Sequence, residues 1–72
     1  MEREISSTRC VGDDGSPLVV IEYQLVDRRR VDSGERIYPG ARRLALASEE
    51  PVRSLGDGVW EVIATGEVLR RA

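Results

Sequence analysis

Residues 51 to 71 read PVRSL-GDG-VWEVIA-TG-EVLRR. Three short runs rich in Val, Ile and Leu are separated by Gly56-Asp57-Gly58 and by Thr65-Gly66, and these residue pairs and triplets reverse one antiparallel strand into the next. This third of the chain is read as a three-stranded meander. A three-residue loop at 56–58 would place Leu55 opposite Val59, Arg53 opposite Glu61 and Val52 opposite Val62. A two-residue turn at Thr65-Gly66 would place Ile63 opposite Val68, Glu61 opposite Arg70 and Val62 opposite Leu69. Glu61 then lies in a row between Arg53 and Arg70, and each opposite-charge neighbour contributes roughly 0.2–1 kcal/mol. The other face carries Val52, Trp60, Val62 and Leu69, which are the expected core. A two-residue Asp57-Gly58 turn is the competing register; it would pair Leu55 with Trp60 and break the charge row.

With 72 residues the chain is expected to form one domain, 1–72, near the lower limit of what an apolar core stabilises unaided. Cys10 is the only cysteine and there is no histidine, so neither an intrachain disulfide nor a zinc site is expected. The opening MEREISSTRC is polar where a secretory leader needs an apolar run, and Leu18 to Ile21 is far too short to cross a bilayer. The expectation is a cytoplasmic protein without a membrane partner. A net charge of −2 argues against a dedicated nucleic-acid binder. All eleven basic residues are Arg, and Lys, Asn, Phe and His are absent, a bias that GC-rich codons explain and that points to a bacterial source.

Earlier in the chain, residues 3 to 11 (REISSTRCV) read as an edge strand, because edges tolerate polar and charged side chains. Gly12 to Pro17 is the clearest loop. Leu18 to Val26 (LVVIEYQLV) is the strongest strand, with a wholly apolar odd face (Val19, Ile21, Tyr23, Leu25) and a mixed even face (Leu18, Val20, Glu22, Gln24, Val26). The mixed face is expected to be partly covered or to meet a partner. Asp27 to Arg36 reads as a protruding hairpin tip or a loop turning at Asp32-Ser33-Gly34, and Pro39-Gly40 as a further reversal. Ala41 to Glu50 (ARRLALASEE) has good helix formers. However, its arginines precede its glutamates, against the macrodipole, and it has no N-cap. A strand is the reading, with a short helix as the alternative and a turn at Ser48 to Pro51. The whole is mainly β: a small antiparallel barrel or highly twisted sheet of five to six short strands, closing on the C-terminal meander.

Chemistry-bearing patterns are few. Without His, Lys or a second Cys, the usual nucleophile–base pairs are excluded within one chain. Asp13-Asp14 and Glu49-Glu50 are adjacent acids, which point apart on a strand and are solvated in a loop. The acidic turn lacks a calcium ligand series. Gly56-x-Gly58 joins two strands and lacks the helix that a phosphate loop requires. Cys10 reads as a small buried apolar residue, and Trp60 as core rather than an exposed recognition residue. Arg28-Arg29-Arg30, Arg42-Arg43 and Arg70-Arg71 are the basic clusters, with Tyr23, Tyr38 and Trp60 as possible stacking partners. The expected function is a non-enzymatic protein-interaction module, binding another protein or a second copy of itself, with no catalytic, cofactor or metal residues and no assigned partner-binding residues. The alternative is single-stranded nucleic-acid binding through the Arg28–Arg30 loop and nearby aromatics.

Overall fold

The computed structural model describes residues 1–72 and contains six strands and no helix, so nothing in it is a helix long and apolar enough to cross a membrane. The strands are β1 (Glu2–Val11), β2 (Pro17–Val31), β3 (Gly34–Leu46), β4 (Pro51–Gly56), β5 (Val59–Val62) and β6 (Val68–Arg71). They follow chain order around the sheet, each antiparallel to the next, and β6 returns to β1 to close a barrel.

Closure is confined to one end. β1 meets β6 only at Cys10–Arg71 and Val11–Arg70, and β3 meets β4 only at Leu44–Val52 and Ala45–Pro51. β2 and β3, fifteen and thirteen residues long, run far past the strands of the meander, none of which exceeds six. Beyond Val26 and Pro39 they continue as a two-stranded arm whose tip turns between Val31 and Gly34. The molecule therefore measures 54 × 21 × 21 Å, with a radius of gyration of 15.2 Å. A compact chain of this length would have about 11 Å.

The core sits at the closed end. Cys10, Val20, Leu46, Val52, Trp60, Val62 and Leu69 form one buried cluster, with Leu18 and Leu44 against it, so every strand supplies at least one member. The expected core residues of the meander, Val52, Trp60, Val62 and Leu69, are all in it. Arg53 pairs with Glu61 and Val52 with Val62, as expected, but the loop is shorter than three residues. A bulge at Leu55 lets Gly56 pair with Val59 and leaves Asp57-Gly58 as the turn, with Gly58 at φ 73°. The bulge thus reconciles a two-residue turn with the intact Arg53–Glu61 pair. The other turn is longer than expected. Glu61 faces Val68 and Trp60 faces Leu69, a slip of two residues from the expected register, because Val62 closes onto Glu67 and Gly66 instead of continuing the ladder. A slip of two preserves which side chains face inward, so the core survives while Arg70 leaves the charge row.

Two further expectations are corrected. β1 is an edge only over Glu2 to Arg9; at Cys10 and Val11 it is flanked on both sides. Pro39-Gly40 is not a chain reversal but lies inside β3, where Gly40 and Ala41 stand against the single residue Leu25 as a bulge. The segment 41–50 is strand as far as Leu46 and then a turn, with Glu49 at φ 76° donating its N–H to the Leu46 carbonyl at 2.8 Å.

The bulge decides which face of β2 is inside. Counting back from the Val31–Gly34 pair at the tip, an unbroken hairpin would set Leu44 opposite Ile21 and Leu46 opposite Val19, on the wholly apolar odd face. The one-residue bulge shifts them to Glu22 and Val20. Leu44 and Leu46 face the meander core, so the even face of β2 goes inward, with Val20, Gln24 and Val26 buried, and the odd face goes outward.

Candidate binding surfaces

The outward stripe of β2 is the first candidate. Val19, Ile21 and Tyr23 are half-buried and Leu25 is 49% exposed. Ile21 belongs to the cross-strand row Ser7–Ile21–Ala45–Pro51, and Ile63, 58% exposed, donates its N–H to the Pro51 carbonyl at 3.2 Å. Ala45 is fully buried although it lies on the outside of the barrel, between Ile21 and Pro51 in that row, and it stands outside the core cluster. The outer surface thus carries an apolar patch of its own.

The two ends of this stripe differ in charge. At the Val19 end lie Arg9, which pairs with Val19, and Arg70, which pairs with Val11; neither has a carboxylate oxygen within ion-pair distance. At the Leu25 end lie Glu2 and Glu4, the register partners of Leu25 and Tyr23. Arg43 organises that end. Its Nη2 donates to Glu2 Oε1 at 2.9 Å and to Glu49 Oε2 at 3.4 Å, and its guanidinium covers the Tyr23 ring at 4.4 Å. The hydrogen bond from Arg43 holds the Glu2 carboxyl below the usual carboxylate range, and both acids push the Arg43 pKa up. Burial first, and then the nearby Glu49 charge, raise the Tyr23 phenol.

The arm is the second candidate, and it places the Arg28–Arg30 cluster on strand rather than loop. Strand alternation divides the cluster. Arg28 and Arg30 share one face with their partners Ile37 and Glu35, whereas Arg29 shares the other with Arg36, Asp27 and Tyr38. Arg29 donates to Asp27 Oδ2 at 2.9 Å and lies over the Tyr38 ring at 5.3 Å, and Arg28 stands 3.9 Å from Glu35. The three arginines and Tyr38 therefore do not form one surface, and the tyrosine face that would stack a base already carries a guanidinium.

The third candidate was invisible in the sequence: an open mouth at the end of the barrel interior, a cavity of about 250 Å³ with Trp60 at its wall and Glu22 at its rim. Glu22 Oε1 accepts from Ser6 Oγ at 3.3 Å, and Oε2 lies 3.8 Å from Arg42 Nη1. Only the alternation of β2, once its inward face is known, reveals that Glu22 and Trp60 share this space.

The remaining sequence candidates are engaged in local contacts or buried. Asp14 accepts from both the N–H and the hydroxyl of Ser16, which together hold its carboxyl below the usual range. The Asp13 N–H donates to Glu67 Oε2 at 3.1 Å, and the same oxygen would lie 2.6 Å from a Cβ at residue 12, so a side chain there would displace the Glu67 carboxylate from this contact. Glu49 turns to Arg43 and does not pair with Glu50. Cys10 is 1% exposed, and burial pushes its thiol up. No group of three or more Cys, Asp or Glu side chains is placed to hold a metal ion. No family model, curated protein or solved structure matches the chain.

Proposed function

We propose that the chain is a non-enzymatic protein-interaction module that works as a self-associated pair, joined through the outward face of β2. The observation that carries this reading is the apolar row that points away from the core, Val19, Ile21, Tyr23 and Leu25, extended sideways by Ala45, Pro51 and Ile63. The chain exposes 5169 Å². That is roughly 700 Å² more than the ~4,450 Å² of a compact monomer of this mass. The two-stranded arm, exposed along nearly its whole length, contributes to this excess, so the apolar row and not the total area marks the interface.

A second copy is the partner that fits this face. The stripe is basic at its Arg9–Arg70 end and acidic at its Glu2–Glu4 end. Two copies related by a two-fold axis, with their stripes antiparallel, would set each basic end on the other's acidic end and bury the apolar middle. Light scattering from 1 to several hundred micromolar tests this. The expected mass is twice the chain's 8.0 kDa at the upper concentrations, reverting to a monomer in Leu25→Asp. A strict monomer throughout would overturn it.

One observation keeps the nucleic-acid reading as a second: Arg30 and Arg36 of the arm take part in no ion pair. That reading requires affinity for single-stranded oligonucleotides that falls steeply with salt and is lost in Arg30→Ala/Arg36→Ala.

A further inference from the structure

We propose that the open mouth of the barrel binds a small organic cation, an alkylammonium or alkylguanidinium group, between the Trp60 indole and the Glu22 carboxylate. The mouth exists because β3 and β4 separate after two residue pairs, leaving the inner faces of β1 to β5 uncovered at that end. Val20, Leu44 and Trp60 give it apolar walls, Ser6 and Ser54 add hydroxyls, and Glu22 is the only ionisable residue lining it. The ligand class follows from that set: an aromatic face and a carboxylate attract a cation, and hydroxyl oxygens accept its remaining N–H groups.

Glu22 is short of donors. Its side chain is 29% exposed, it accepts one long hydrogen bond from Ser6 at 3.3 Å, and its nearest cation, Arg42 Nη1 at 3.8 Å, is beyond hydrogen-bond distance. A carboxylate has about four acceptor sites, so a cation entering the mouth meets lone pairs that the protein does not fill. The Arg71 guanidinium lies 6.0 Å from the indole centroid and does not line the mouth, so it competes for the ring and not for Glu22. Of the arginines in the neighbouring groove, Arg43 is held by Glu2 and Glu49 and Arg53 by Glu61 at 2.6 Å, which leaves Arg42 as the one local competitor for Glu22. A cavity of about 250 Å³ suits a single side chain or a small amine. It is below the ~300–1,000 Å³ of sites that enclose drug-sized ligands.

Because Trp60 is the only tryptophan, its emission reports the site directly. Emission is titrated with n-butylammonium, and with n-butanol and butyrate as neutral and anionic isosteres, all at one ionic strength. The expected result is saturation by butylammonium at about millimolar concentration, with butanol weaker by about tenfold or more. Glu22→Gln should lose about the same factor, and Arg42→Ala, by removing the competitor, should tighten binding by a few-fold. A lysine-containing tripeptide distinguishes the sources: binding at least as tight as butylammonium means the site takes a partner's side chain, and weaker binding means it takes a free amine. Equal response to butanol and butylammonium would overturn the proposal. So would unchanged affinity in a folded Glu22→Gln. Should that variant not fold, the isostere comparison and Arg42→Ala still decide.

Discussion

β2 and β3 run through both the closed end and the arm, yet the two regions differ in what packs against those strands. At the closed end β2 and β3 lie between β1 and the meander, and Val20 and Leu46 are buried in a core fed by all six strands. Past Val26 the same strands have no further neighbour; Ile37 and Tyr38 are 52% and 39% exposed, and exposed ion pairs at Arg28 and Arg29 take the place of packing. Strand propensity and ladder hydrogen bonds are shared by both regions, so they do not decide where the stability resides. What the closed end has and the arm lacks is buried apolar surface from strands distant in sequence.

The largest effect is expected from a hole opened at the closed end. Leu69 is fully buried and Trp60 nearly so. Leu69→Ala is expected to cost about 2–5 kcal/mol and Trp60→Ala about 3–5 kcal/mol. Either loss is enough to abolish the cooperative thermal melt of a domain this small. Deleting Gly40 should be about as damaging by another route. It removes the bulge, aligns Leu44 and Leu46 with the wrong face of β2 and sets the barrel against its own register, which would appear as collapsed amide dispersion in an NMR spectrum.

Shortening the arm should do much less to the fold. Replacing residues 27–38 by an Asn-Gly turn removes no member of the core cluster and is expected to leave a folded barrel whose melting temperature moves by only a few degrees. A collapse on that change would mean the arm contributes to the core after all.

Smaller still are the surface pairs. Arg53 and Glu61 are held at 2.6 Å, with the arginine 63% exposed, so Arg53→Ala should cost well under 1 kcal/mol by denaturant melts. Glu2 gives a pH signature. Its folded pKa is lowered by the hydrogen bond from Arg43, so its contribution is fully present above the ordinary value of about 4.3 and fades as pH falls through the lower folded value. In Arg43→Gln that part of the acid limb of the stability curve should flatten. An unchanged limb would assign acid sensitivity to other carboxylates.

Much of the closed end was legible in the chain. Gly-Asp-Gly and Thr-Gly marked the meander, and alternation placed Val52, Trp60, Val62 and Leu69 on one face, a result that a two-residue slip could not spoil. The faces of β2 were not legible, because both carry enough apolar residues to serve as core and the choice rests on a bulge at Gly40-Ala41 whose Pro-Gly signal reads as a turn. The split of Arg28 to Arg30 was hidden for a related reason: a charged segment read as a hairpin tip or loop has no alternation until it is known to be strand. The mouth with Glu22 and Trp60 depends on contacts between residues 38 positions apart, which no local pattern encodes.

β2 carries its mixed face inward and its apolar face outward, and a pair of adjacent substitutions separates this arrangement from the opposite winding. Val20 is 3% exposed inside the barrel, and Ile21 stands on the outer face. A buried aspartate without a partner is strongly destabilising, whereas one on the outer face is solvated. Circular-dichroism melts of Val20→Asp and Ile21→Asp should therefore give an unfolded chain for the first and a folded barrel for the second. A folded Val20→Asp beside an unfolded Ile21→Asp would mean that the barrel is wound with the opposite face inside.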